Sequence, residues 1–277
     1  MPIEAYYRDK ACIVTGAASG IGFAISEALL HASASVVVLA DRDTKTLASA
    51  AEQLGAYSSR VHSASLDVTN QNQVESLIQD AAARHGRIDF LFNNAGVGGT
   101  LQIGTATLEH WRRIIDLNLW GVIYGVHAVL PIMRRQGHGH IINTSSLAGL
   151  VPLPYQALYC TTKYAVVGLS EALRYELEDE NIHFSVVCPG AVASRIWGTP
   201  IIGERTEAKP PDEAIPAAEA ARAILAGVAN KEGIIALPES ARSLGRRYWS
   251  SPDATENELR DLARQRRAAY QSKGSFY

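Results

Sequence analysis

The side chains best placed for chemistry are a phenol and an ammonium: Tyr159 and Lys163 stand four residues apart in YCTTK, which puts both on one face of a helix. Tyr155, Tyr164 and Tyr175 lie nearby without a lysine at that spacing. A free phenol titrates at about 10 and is a poor base at neutral pH, whereas a neighbouring ammonium favours phenolate and lowers that value. Such a pair can give a proton to a reacting oxygen or take one from it. Upstream, an apolar β-rich run ends in Thr144-Ser145-Ser146, so the Ser146 hydroxyl can hold a substrate oxygen. Asn118, in DLNLWG, falls inside an apolar helical pattern where a buried amide must find partners. Taken alone it reads as structural; it could also orient a water that relays protons to Lys163.

A second group of residues suits a dinucleotide. CIVTGAASGIGFAISEALL runs from a strand through Gly16, Gly20 and Gly22 into a helix, so backbone amides at the helix start can face a pyrophosphate. A tight strand-to-helix turn would need similar glycines, and the strand-before, helix-after context favours the phosphate reading. Asp41 ends the next apolar run, where a carboxylate can accept both adenine-ribose hydroxyls and would repel a 2′-phosphate. That favours NAD over NADP, with Arg42 partly offsetting the repulsion. Asp67-Val68 and Asn93-Asn94-Ala95-Gly96 close two further strands where the adenine half would lie.

Positioning these groups requires repeated βα units. Strands are predicted at Ala11 to Thr15, Ser35 to Ala40, Arg60 to Leu66, Ile88 to Phe92, His140 to Thr144, Ile182 to Cys188 and Gly233 to Leu237, with amphipathic helices between them. The alternation implies a parallel sheet whose carboxyl edge gathers the motifs. Residues 198–216 are rich in Pro and Gly and read as a mobile loop, followed by a helix from Ala217 to Asn230. The dinucleotide fold is assigned to 1–240, including a substrate loop at about 195–216. Residues 241–277 read as a basic extension, partly helical from Asn257, with a solvated surface.

With 277 residues and 47% hydrophobic content, one domain with a sizeable core is expected. A net charge of -2 offers no field for nucleic acid. Cys12, Cys160 and Cys188 suggest no disulfide framework, and no signal or membrane-spanning run is recognised, so the expected location is the cytoplasm. No metal site is expected: His138 and His140 in GHGHI read as a surface turn.

In their order, TGAASGIG, NNAG, Asn118, Ser146, YCTTK and Pro189-Gly190 resemble the short-chain dehydrogenase/reductase family over about residues 8–196. The resemblance implies a seven-stranded parallel sheet in the order 3-2-1-4-5-6-7, NAD(P)-linked oxidoreduction and assembly as a homodimer or homotetramer. It makes Tyr159 the general acid or base and Lys163 the group that lowers its pKa and binds the nicotinamide ribose. Ser146 then positions substrate, and Asn118 supports a proton relay. Gly16, Ser19, Gly20, Ile21, Gly22, Asp41, Arg42, Asp67, Val68, Asn93, Ala95 and Gly96 would line the adenine and pyrophosphate half. Pro189, Gly190, Val192 and Ser194 would hold the carboxamide end. The chain departs from the family in carrying Ser33 after the first helix, where glycine is customary, and in lacking a glycine-rich ending.

Leu150, Val151, Leu153, Tyr155, Ile196 and Trp197 make the expected substrate region apolar, which favours a hydrophobic secondary alcohol or ketone. Two other readings stay open: a sensor or scaffold that binds NAD(H) without turnover, and an NADPH-preferring ketone reductase.

Overall fold

The computed structural model describes residues 3–203, 209–273 and 276. Its elements in chain order are α1 (Ile3–Tyr7), β1 (Ala11–Thr15), α2 (Gly20–His31), β2 (Val36–Asp41), α3 (Thr44–Gln53), β3 (Val61–Ser65), α4 (Gln71–His85), β4 (Phe90–Asn93), α5 (Leu108–Ile115), α6 (Gly121–Gln136), β5 (Gly139–Thr144), α7 (Ala157–Glu176), β6 (Ile182–Pro189), α8 (Ala217–Ala229), β7 (Ile234–Leu237), α9 (Glu239–Ser250) and α10 (Asp253–Lys273). The strands form one 7-stranded sheet in the order β3-β2-β1-β4-β5-β6-β7. All six pairings are parallel. This is the predicted doubly wound, Rossmann-like fold in a single domain.

The sequence reaches this arrangement because ACIVT and VVVLAD are continuous apolar runs, suited to strands buried on both faces. On one face Ile25 and Leu29 of α2, Leu47 of α3 and Ile224 and Val228 of α8 pack over Val14 and Leu39. On the other, Ile78 of α4, Val129 and Met133 of α6 and Val166 of α7 pack over Ile13 and Ile141. Side chains start α3 and α4: Asp43 accepts from Thr46 N and Asn70 from Gln73 N.

Strand limits differ from the sequence prediction by one or two residues. β4 starts late because Gln136 pairs with both backbone groups of Ile88, and the Asp89 carboxylate takes Ala11 N. The C-terminal helix begins at Asp253, not Asn257, and α9 precedes it. Residues 195–198 of the expected loop form a short 3₁₀ turn, while 204–208 lie outside the described residues. Leu108–Gln136 is a continuous helix, joined by a π turn at Asp116–Trp120, and it is long and apolar enough to cross a membrane by length and composition, which the sequence reading did not anticipate. Its Val122, Val126, Val129 and Ile132 are occupied by the core.

His140 corrects the surface-turn expectation, for it lies in β5 and is only 1% exposed. Tyr6 Oη lies 3.1 Å from its Nδ1 and Ser185 Oγ lies 2.9 Å from its Nε2, while Ser185 donates to the Glu232 carbonyl. That orientation leaves Ser185 as acceptor for Nε2–H and Tyr6 as donor to Nδ1, so the neutral ring is satisfied. Burial, then His183 and Lys231, hold its pKa well below the ordinary 6.5. As pH falls, the unfolded chain therefore takes a proton before the folded one, and stability present above 6.5 is lost below it. Urea unfolding between pH 7 and 5 should show stability falling by up to about 1.4 kcal/mol per pH unit from this residue. His140→Gln should remove that part of the slope, and an unchanged slope would exclude His140 as its source.

Candidate active site

The glycine turn lies between β1 and α2 at the carboxyl edge of the sheet. Gly16 has φ +66°, and a Cβ there would stand 2.9 Å from Ala95 Cα, so only glycine lets the two strand ends approach. At Gly22 a Cβ would meet Asn94 Nδ2 at 2.6 Å. Ser19 occupies the N-cap of α2, yet its side chain makes no cap hydrogen bond. The first amides of that helix are thereby left to an anion, and the cradle fits a pyrophosphate. Ile21, half-buried, completes the turn.

Beneath the turn lies a polar spine that sequence reasoning missed. The Thr15 hydroxyl accepts from Asn94 N and Ala95 N at 2.9 and 3.0 Å, while Asn94 Nδ2 donates to the Thr15 carbonyl. These bonds set the spacing between the first and fourth strand ends. Asp41 accepts from Ala18 N at 3.1 Å through Oδ2 and from Asp43 N at 3.0 Å through Oδ1. Each oxygen retains a further lone pair for a ribose hydroxyl. Arg42 beside it is exposed.

Asp67 turns its Oδ1 to Thr69, and Val68 packs on Gly121. The Asn93 side chain does not reach the cleft. It is 3% exposed and donates to Asn143 Oδ1, and Asn143 in turn donates to Ser170 Oγ, a buried ladder into α7. Ala95 and Gly96 are at the cleft through their backbone, with Gly96 exposed.

Tyr159 and Lys163 share a face of α7, with Lys163 Nζ 5.5 Å from the centre of the phenol ring. Lys163 is 4% exposed and donates to the Thr144 carbonyl at 2.9 Å, while its own carbonyl accepts from Ser145 Oγ at 2.8 Å. Two bonds thus fasten α7 to the end of β5, the strand that leads into Ser146. Burial pulls the Lys163 pKa down to about 8, and the nearby Cys188 raises it. Ser146 Oγ accepts from Ala148 N and donates to the Pro189 carbonyl at 3.4 Å, which joins the ends of β5 and β6.

Asn118 is fully buried within the π turn. Its Oδ1 accepts from Val97 N and its Nδ2 donates to Val97 O, both at 2.9 Å, with a longer contact to Thr162 Oγ1. The amide therefore braces the loop after Gly96. A Cβ on Gly96 would lie 3.1 Å from Asn118 Oδ1 and 3.6 Å from Lys163 Nζ, so the brace and the ammonium surround one point.

The remaining wall follows β6. Gly190 N donates to Leu237 O, buried Val192 bridges to Ile215, and the Val192 carbonyl accepts from Trp197 Nε1. Ser194 approaches the glycine turn, since a Cβ on Gly20 would meet Ser194 Cβ at 3.0 Å. Ile196 lies against Gly98, and Ile201 and Tyr159 against Gly99, which makes this side of the cleft apolar. All three cysteines are free and buried, and among the described residues no cluster of His, Cys, Asp or Glu could hold a metal.

Comparison with known proteins agrees with this geometry. A family model described as short chain dehydrogenase matches residues 10–200. An uncharacterized oxidoreductase of Staphylococcus saprophyticus is 40% identical over 191 residues, covering 68% of this chain and 76% of the relative. A Listeria innocua counterpart is 37% identical over 202 residues, 72% and 81% of the two chains. Among solved structures, a short chain dehydrogenase/reductase from Burkholderia phymatum in complex with NAD superposes with a TM-score of 0.76 at 27% identity, over 97% and 96% of the chains. One from Burkholderia cenocepacia in complex with NADP gives 0.78 at 25% identity, over 91% and 98%. With the sheet order and the ordered motifs, these matches establish that the chain is an oxidoreductase of the short-chain dehydrogenase/reductase family.

Proposed function

We propose that this oxidoreductase uses NAD to interconvert a hydrophobic secondary alcohol and its ketone. The observation that carries the reading is Lys163. An ammonium that is 4% exposed, held by the Thr144 carbonyl and 5.5 Å from the Tyr159 ring, is costlier to bury than the fastening of α7 to β5 alone would warrant, since burial works against its charge. Beside a phenol that exchanges a proton with substrate, the same charge has a purpose.

The nicotinamide, when bound, accepts or donates the hydride; the chain aligns the partners and handles one proton. Ser146, with its oxygen at the junction of β5 and β6, orients the substrate oxygen. Tyr159 protonates that oxygen in reduction and takes its proton in oxidation, and Lys163 stabilises the phenolate. The amides at the start of α2 bind pyrophosphate, and Lys163 reaches the nicotinamide ribose.

Asp41 supports NAD over NADP. Its carboxylate keeps lone pairs to spare for ribose hydroxyls, and a 2′-phosphate beside it would meet a like charge. NADP binding by the Burkholderia cenocepacia relative, and Arg42 beside Asp41, support the competing preference. The apolar wall of Ile196 and Ile201 against Gly98 and Gly99 supports an apolar substrate. Exposed Gly168 and Ala172 on α7 leave a smooth helix face, consistent with a homodimer or homotetramer.

Tyr159→Phe should lower kcat by at least ~100-fold with NADH binding retained, as followed by cofactor fluorescence. Near-normal turnover would remove Tyr159 from this role. Asp41→Ala should weaken NAD by about tenfold while weakening NADP less. An unchanged ratio of the two affinities would leave the preference unexplained by Asp41.

Lys163 also predicts a conflict between chemistry and stability. Its folded pKa of about 8 lies below the ordinary 10.5, so the unfolded chain takes the proton first as pH falls. Burying the residue therefore costs stability below 10.5, and the full cost is reached below about 8. Lys163→Met should be inactive yet melt at a higher temperature than the parent at pH 7, with the difference shrinking as pH approaches 10.5. A variant that melts lower at both pH values contradicts the account.

A further inference from the structure

The apolar segment between Ser146 and Tyr159, expected from the sequence to border the substrate, has little backbone structure of its own, and its Leu150 and Val151 are buried in the core. After a 3₁₀ turn at Leu147–Gly149 it runs irregularly to α7, and Pro152 and Pro154 lack an N–H. Tyr155 has φ +63°, a left-handed conformation unusual for a bulky residue. The carbonyls of such a segment need partners, and following them leads to the far end of the chain.

Leu150 O accepts from Trp249 Nε1 of α9 at 2.9 Å, and Pro154 O accepts from Arg266 Nη1 of α10 at 2.5 Å. Tyr155 Oη accepts from Arg267 Nε at 3.2 Å. Gly245 packs on the Leu150 side chain, and the Phe276 ring stands between those of Tyr155 and Tyr270. Tyr155 O, in turn, accepts from Leu101 N at 2.8 Å, which joins this wall to the Gly98–Gly99 wall opposite.

Arg266 differs from its neighbours on α10. Arg260 pairs with Glu256 and Arg264 with Asp261 on the exposed surface of the helix, whereas Arg266 is 8% exposed. A guanidinium is withdrawn from water at a cost and is retained where it makes a charge-assisted bond. Here that bond ends on Pro154, the residue before Tyr155 and three residues before α7 begins.

We propose that α10 is the scaffold of the substrate wall and that Arg266 is its positioning residue. It fixes Pro154 and the left-handed Tyr155 so that bulky apolar substrates meet a preformed surface. Trp249 and Arg267 fasten the two flanks of the same segment. The proposal rests on the alcohol and ketone reading above, and the substrate it concerns is the bulky apolar ketone.

The test compares the full-length protein with Arg266→Ala, Arg266→Lys and Trp249→Phe, using peptide-level hydrogen exchange and steady-state reduction of a small and an alicyclic ketone with NADH. Arg266→Ala should speed exchange across 147–156 with the rest of the sheet unchanged. It should raise KM for the alicyclic ketone about tenfold, with a smaller change for the small one and none in the NADH dissociation constant. Arg266→Lys should recover part of both effects. Trp249→Phe, at a half-exposed ring, should speed exchange in the same segment, and it keeps the test available if Arg266→Ala does not fold. Unchanged exchange at 147–156, or faster exchange spread evenly through the chain, would overturn the proposal. If the parent reduces neither ketone with either cofactor, the proposed reaction falls, and the exchange data alone decide the role of α10.

Discussion

A charged amine held out of water is the constraint around which this site is organised. Lys163 cannot remain protonated at depth without an acceptor, and the nearest one is the last carbonyl of β5. Satisfying it brings α7 against the strand end, and the reciprocal bond from Ser145 to the Lys163 carbonyl fixes the helix along its axis. The distance between Ser146 and Tyr159 is thus set by the demands of one ammonium. The desolvation that draws its pKa down is the same condition that lets its charge act strongly on a neighbouring phenol.

The cofactor half obeys a different rule. Its surfaces are backbone amides and small residues, because phosphate must come close to the main chain. The fixed spacing comes from polar groups below, Thr15 and Asn94 under the glycine turn and Asn93, Asn143 and Ser170 under the strand ends. These amides and hydroxyls pair with one another and with neighbouring backbone, so they specify spacing between strands that apolar packing alone would leave less determined.

Much of this was legible in the sequence where a residue's role is local. The strands and their parallel pairing followed from alternating apolar runs, their order from the resemblance to a family, and Tyr159 and Lys163 from helical spacing. Asp41 was found at a strand end although the chain carries Ser33 where glycine is customary; Ser33 adopts φ +65°, and the turn keeps its shape at some strain. What could not be read were partnerships distant in sequence. His140 read as a surface turn because it flanks a turn into a strand with no further ligand in view, yet Tyr6 and Ser185 enclose it from elements far along the chain. Asn118 read as structural from its apolar surroundings, but its partner, the backbone of Val97, was not legible. Arg266 was one cation among many on a basic helix, and only the fold distinguishes it from Arg264.

The two halves of the site therefore differ in how freely they can change. Lys163, Thr144 and Ser145 and the glycine turn are tied to the sheet edge by short connections, so their positions depend on the spacing of the strand ends. The segment proposed as the substrate wall is tied instead to side chains from α9 and α10, outside the sheet. Substitutions in those helices can reshape the apolar wall while Lys163, Thr144 and Ser145 keep their mutual bonds. On the proposed reading, substrate range would follow the last helices of the chain and reaction chemistry its centre, and the two would meet in the short segment from Pro154 to Tyr159.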